Sequence, residues 1–342
     1  MTDGTDSRVA SRGTDRLAET LRLPTWAAPL GVAVAIVTAT ALVPDVGFAQ
    51  SASETLSSYA VPGERTFPEG IALDAATGAF FVGSADQGTI YRGSRSAQEM
   101  TPHVSGAEAP PASNGLRLLP SGELLVAGGR TGTLYVYAPD GTLVRRLDAP
   151  AAERTFINDS VVVSPTEVYV TDSFRPVLFR ADPSVDGLLE PWLDLTATPI
   201  EYGEGFNLNG IVATEDGRYL IVAQTNARTF WRIDLASKDV TAIDVPHGEG
   251  GADGMRLVGD RLFAVRDGGV TTYRLAPDAG SVTVTARVVD ERFSGPTAVA
   301  VDGDDLLIVN AQFAARDGTP DLPFTVTRVT GAAVATERGA SQ

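Results

Sequence analysis

Six residues at near-regular spacing carry side-chain oxygens from which chemistry could be built: Glu69, Asn114, Asn158, Asn209, Asp253 and Thr297. Each opens a similar stretch: Glu69-Gly-Ile-Ala-Leu-Asp, Asn114-Gly-Leu-Arg-Leu-Leu, Asn158-Asp-Ser-Val-Val-Val, Asn209-Gly-Ile-Val-Ala-Thr, Asp253-Gly-Met-Arg-Leu-Val and Thr297-Ala-Val-Ala-Val-Asp. Five of the six are carboxylates or amides, where a purely structural strand would more often begin with a small or apolar residue. Oxygen ligands converging on one axis, two of them anionic, suit a hard divalent cation. Two carboxylates neutralise Ca²⁺, and no His or Cys stands at these positions to favour zinc. The competing reading is that Asn-Gly and Asp-Gly only make the turns into each strand. Glu at one place and Asn158-Asp159 at another favour the ion for the set as a whole.

Positioning these residues on one axis requires a ring. The intervals between the six starts are 45, 44, 51, 44 and 44 residues, a period that four short strands and their turns fill. Each repeat continues with a second apolar run: Ala79–Val82, Leu124–Ala127, Val168–Thr171, Leu220–Ala223, Leu262–Val265 and Leu306–Val309. A third run places an aromatic at a matching position: Tyr91, Tyr135, Phe179, Trp231 and Tyr273. Alternation of apolar and polar residues in these runs predicts strands with a half-buried face. The fourth runs, such as Leu143–Leu147 and Thr283–Val288, are less regular. The last repeat lacks a fourth strand after Phe324–Val329, and a spare strand stands before the first repeat at Thr55–Val61. The sequence therefore predicts an all-β fold, a six-bladed β-propeller over residues 50–342, closed by pairing the N-terminal strand with the last blade.

Residues 1–49 read as an export segment. Leu30–Val43 is apolar and uncharged, and Gly47-Phe48-Ala49 supplies small residues before a cleavage between Ala49 and Gln50. The predicted location is secreted or in the cell envelope, with no stable membrane association once the segment is removed. An uncleaved anchor formed by Leu30–Val43 is the alternative, although the run is short for a span.

Composition removes other classes of function. The chain has 35 Gly and 21 Pro among 342 residues, no Cys, and a formal net charge of −16 with Lys238 as its only lysine. Without a basic stripe, nucleic acid is excluded as a partner. Without cysteine, disulfides, thiolate metal sites and a cysteine nucleophile are excluded. No phosphate loop or dinucleotide fingerprint occurs, because Gly248-Glu-Gly-Gly lacks the strand and helix such loops need. The partner expected is a small-molecule substrate, and no protein partner is indicated. Two histidines, His103 and His247, fall where loops lead into an inner strand, and His247, six residues before Asp253, is the better auxiliary base.

From about Phe67 to Val329 the repeats resemble the gluconolactonase and regucalcin (senescence marker protein) family of calcium-dependent propeller hydrolases, and more distantly diisopropyl fluorophosphatase and paraoxonase. The resemblance rests on Pro68-Glu69-Gly70, Asn158-Asp159, Asn209-Gly210 and Asp253-Gly254-Met255. It implies a divalent cation, most often Ca²⁺, held by Glu69, Asn158, Asn209 and Asp253. It also implies hydrolysis of small lactones or related esters, with Asp253 as general base or nucleophile. Asn114 and His247 are expected to contact substrate. The family often reads Glu-Gly-Pro at the first site, where this chain has Glu69-Gly70-Ile71-Ala72. Two other functions fit a propeller: a binding module with a structural ion, and a metal-free enzyme of the strictosidine-synthase-like type.

Overall fold

Short β-favouring runs between Gly-, Pro- and Asp-rich turns fold the chain into strands. The computed structural model describes residues 56–332, which lie in the compact unit Ser53–Gln342. The expected export segment, with Leu30–Val43 and the junction after Ala49, lies outside the described residues. None of the described helices is long and apolar enough to cross a membrane.

Strand β1 (Ser58–Val61) precedes a first four-stranded unit of β2 (Pro68–Asp74), β3 (Ala79–Ser84), β4 (Ile90–Ser94) and β5 (Ala97–Val104). The second unit is β6 (Leu116–Leu118), β7 (Leu124–Ala127), β8 (Thr133–Tyr137) and β9 (Leu143–Asp148). The third is β10 (Ile157–Ser164), β11 (Glu167–Asp172), β12 (Val177–Ala181) and β13 (Glu190–Asp194). The fourth is β14 (Leu208–Ala213), β15 (Tyr219–Gln224), β16 (Thr229–Asp234) and β17 (Val240–Ala242). The fifth is β18 (Met255–Val258), β19 (Arg261–Arg266), β20 (Gly269–Leu275) and β21 (Val282–Val288). Last come β22 (Pro296–Asp302), β23 (Asp305–Asn310) and β24 (Phe324–Val329). The only helical elements among the described residues are three 3₁₀ turns of three residues each.

The second to fifth units are separate antiparallel sheets, and the remaining strands join in the order β2-β3-β4-β5-β1-β24-β23-β22. That eight-stranded sheet is two four-stranded halves, because β5 and β1 meet only through the parallel pair Ala60 and Glu99. In the second half, β1 runs antiparallel to β24, with Ser58 opposite Thr327 and Val61 opposite Phe324. The pairing expected of the spare N-terminal strand is thus present over its described residues. The first strands of the units pack in a closed series, β2 on β6, β6 on β10, β10 on β14, β14 on β18, β18 on β22, and β22 back on β2.

Apolar side chains collect in six clusters, each between two successive units. The cluster that joins the two ends of the chain packs Tyr59, Phe67 and Phe80 against Leu307, Val309 and Phe324. Each sheet is therefore covered on both faces. For this reason the second strands do not show the expected half-buried alternation: β3, β7 and β15 are buried at every residue. Only outer strands such as β9 alternate with solvent.

Polar contacts reinforce the seam. Arg95 of the first unit grips both carboxylate oxygens of buried Asp302 in the last. Arg328 donates to Asp305 at 2.8 Å and to the Tyr59 hydroxyl at 3.2 Å. Replacement Arg95→Leu leaves Asp302 without its main partner and should cost about 1 kcal/mol near neutral pH, a figure kept low because Arg95 is 43% exposed. Arg95 holds the Asp302 pKa below its ordinary value. The stabilisation is therefore full above the ordinary aspartate range and is lost as pH falls through the lowered value. Urea denaturation should show the gap between the two proteins at pH 7 and its disappearance in strong acid.

Candidate functional site

The inner strands approach so closely that glycine is needed for space. A Cβ on Gly70 would stand 2.1 Å from the Asn114 carbonyl oxygen. On Gly210 it would stand 2.4 Å from that of Asp253, on Gly115 2.6 Å from that of Asn158, and on Gly254 2.9 Å from that of Thr297. None of these four glycines has the positive φ of a turn glycine. The Asn-Gly and Asp-Gly pairs are therefore inter-strand contacts, not turns. Backbone bonds run through three of them: Gly115 to Asn158 at 2.9 Å, Gly210 to Asp253 at 3.1 Å, and Gly254 to Thr297 at 2.8 Å. Irregular pairing at the starts of β2, β10 and β14 accompanies these contacts, and such bulges re-aim side chains.

Beside these contacts lies a small cavity. Glu69, Asn158 and Asn209 line this cavity of about 10 Å³, together with Asp159, Arg117 and the glycines Gly70, Gly115 and Gly254. That is room for about one water-sized occupant. Asp253 adjoins it, accepting from the Asn209 amide at 3.0 Å. The Asn158 amide donates to Ser173 at 2.8 Å, and Ser173 in turn donates to the Leu208 carbonyl at 2.6 Å. With both amide nitrogens engaged, the side-chain oxygens of Asn158 and Asn209 remain as acceptors. Glu69 Oε2 is buried with no hydrogen-bond partner.

Two expected substrate residues stand elsewhere. The Asn114 amide donates to Ala127 at 3.3 Å, and Asn114 is not among the residues lining the cavity. His247 is exposed in the segment before β18 and does not line it either. His103, expected in a loop, lies in outer strand β5 against the Phe81 ring, 5.0 Å between centroids.

Sequence reasoning passed over the two arginines of the channel, although the repeats carried a signal. Arg117 and Arg256 occupy the fourth place of the second and fifth repeats, where the other four have Ala72, Val161, Val212 and Ala300. Arg117 pairs with Asp159 at 2.8 Å. Arg256 donates to the Ile71 carbonyl at 2.7 Å. Also unforeseen is an aromatic rim beside Asn158 and Asn209. Phe156, Phe174 and Phe206 meet with centroids 5.1 to 5.5 Å apart, and Phe206 is 42% exposed. Buried Asp172 holds two of them, one carboxylate oxygen accepting from the backbone N–H of Phe156, Phe174 and Arg175 at 2.9 to 3.0 Å.

Charge in this channel is unevenly matched. Burial, then repulsion from Asp253 and Asp159, drives the Glu69 pKa well above its ordinary value against the opposing pull of Arg117 and Arg316. Burial pushes Asp253 up to about 7, against the Asn209 hydrogen bond and with help from Asp159. Asp159 is raised by burial despite Arg117 and Arg256. Burial and the neighbouring Arg117 bring Arg256 down to about 9, against the attraction of Asp159.

No family model matches the chain, and no curated protein sequence matches it. Solved structures do. Similar ones include the WD40 β-propeller domain of Doa1, at 13% identity and a TM-score of 0.54 over 79% of this chain and 81% of that one. The fold is a β-propeller. The propeller is also similar to a calcium-binding protein, regucalcin, from Agrobacterium tumefaciens (15% identity, TM-score 0.56, 81% of this chain and 95% of that one). A gluconolactonase from Xanthomonas campestris matches at 16% identity and a TM-score of 0.53, over 81% and 88% of the two chains.

Raised carboxyl pKa values mean that the folded propeller binds more protons than the unfolded chain. In chelator-treated protein, stability should therefore fall as pH rises from about 4 through about 7. Asp253→Asn, which retains an acceptor for Asn209, should flatten that fall. Urea midpoints between pH 5 and 8 measure both, and a wild type that gains stability across this range would contradict the charge assignment.

Proposed function

We propose that the six four-stranded units are the blades of a six-bladed propeller that hydrolyses small lactones or related esters. A divalent cation, Ca²⁺, would be held at the channel mouth by Glu69, Asn158, Asn209 and Asp253. The observation that carries this reading is Glu69 Oε2, a buried carboxylate oxygen with no donor, beside a cavity that Glu69, Asn158 and Asn209 line. A buried unpaired carboxylate is costly, and a cation offsets that cost where no protein donor does. The donor set is all oxygen and carries two negative charges, which fits a hard cation. The similarity to regucalcin and to a gluconolactonase supports the same reading.

When bound, such an ion supplies Lewis acidity toward a carbonyl oxygen. The chain's own residues do the rest. Asp253 accepts the proton of an attacking water as the new C–O bond forms. It then returns that proton to the ring oxygen as the ester bond breaks, which leaves a hydroxy acid. The Asn209 amide fixes the orientation of Asp253, and Ser173 fixes Asn158. Phe156, Phe174 and Phe206 offer apolar contact to the carbon skeleton of a cyclic ester at the mouth.

Ca²⁺ should raise the melting temperature of chelated protein, because a ligand bound only by the native state stabilises it, and Glu69→Gln should weaken that response. Steady-state hydrolysis of sugar lactones, acyl lactones and aryl acetates tests the chemistry. Asp253→Asn should lose most of kcat at saturating metal, whereas Phe206→Ala should raise KM and leave kcat nearly unchanged. Inactivity of the metal-saturated wild type on all three classes would leave a binding propeller as the better reading.

A further inference from the structure

Arg117 and Arg256 both line a second cavity. Along β10, Asn158 lines the first cavity, whereas Val163, five residues on and about 16 Å away in an extended strand, lines the second. The second cavity, of about 320 Å³, is walled by Val161, Val163, Ile211 and Leu257. Glu215 also lines it, and its Oε1 accepts from the Gly259 backbone at 2.9 Å.

The two guanidiniums differ in commitment. Arg117 is engaged by Asp159 at 2.8 Å and by the Leu116 carbonyl at 2.9 Å. Half-buried Arg256 donates to one carbonyl, that of Ile71, and among the described residues no acidic side chain forms an ion pair with it. Asp159 is thus the one carboxylate paired into a site that buries two like charges. A guanidinium presents five donors in a planar fork, so most of the capacity of Arg256 is left for another acceptor.

We propose that this second cavity binds a small monocarboxylate with an apolar tail. The carboxylate takes the unused donors of Arg256, and the tail lies against the valine, isoleucine and leucine wall. A fork of donors matches a carboxylate in two parallel bonds. The volume lies at the small end of ligand cavities and suits a short-chain or aryl acid. The site is distinct from the proposed cation site, although Arg117 lines both cavities.

Calorimetric titration of the full chain at fixed ionic strength, with chelator present, tests this. The probes are sodium butyrate, sodium benzoate, neutral butyramide and inorganic phosphate. Butyrate or benzoate should bind, butyramide and phosphate should bind much more weakly, and Arg256→Gln should weaken binding about tenfold or more. Ala213→Phe, which fills the cavity and leaves Arg256 in place, should abolish it, and this variant decides if Arg256→Gln fails to fold. Absence of binding to the wild type overturns the proposal, as do butyramide or phosphate binding as well as butyrate, an unchanged affinity in Arg256→Gln, or retained binding in Ala213→Phe.

Discussion

Close approach of the inner strands is the constraint on which the rest of the molecule depends. At Gly70, Gly115, Gly210 and Gly254 one strand lies so near the next carbonyl that no side chain fits between them. Contact at that distance draws the ring into a narrow channel and sets the preceding residues, Glu69, Asn209 and Asp253 among them, at its mouth. The same tightness explains why Asn158 and Asn209 have their amide nitrogens engaged by protein while their oxygens remain as acceptors. Packing between blades, in six separate apolar clusters, holds the ring against this crowding.

A narrow channel is a poor place for charge, yet this one contains three carboxylates and two guanidiniums. Arg117 and Asp159 satisfy one another near the middle. What remains is separated along the axis, with Glu69 and Asp253 toward one mouth and Arg256 facing the other cavity. The two ends differ in sign, which is why a cation is proposed at one and a carboxylate ligand at the other. Retaining such groups against the cost of burial is characteristic of functional sites more than of structural ones.

Much of this was legible in the sequence, for identifiable reasons. The period near 44 residues was visible because each unit needs four strands, and chain closure was visible because β1 matches the strand missing after β24. Glu69, Asn158 and Asn209 were recoverable because they share a place in the repeat. Their glycines were harder to interpret, since Asn-Gly has the same letters in a turn and in a close strand contact. Arg117 and Arg256 were less legible, because the fourth place of the repeat is apolar in the other four units (Ala72, Val161, Val212 and Ala300). The aromatic rim could not be assembled from sequence at all: Phe156, Phe174 and Phe206 belong to three connections that only the fold brings together. Nor does a shared repeat position guarantee a shared role, as Asn114 shows by donating to Ala127 of its own unit.

Buried together and both raised in pKa, Glu69 and Asp253 are expected to take up either a proton or a cation. Infrared difference spectroscopy of the metal-free protein at neutral pH, compared with Glu69→Gln, addresses this directly. A protonated carboxyl band is expected that is weaker in Glu69→Gln, which retains the raised Asp253, and that disappears from the wild type when Ca²⁺ is added, with release of protons to the buffer. A metal-free protein without that band, or a band that Ca²⁺ leaves unchanged, would contradict this expectation.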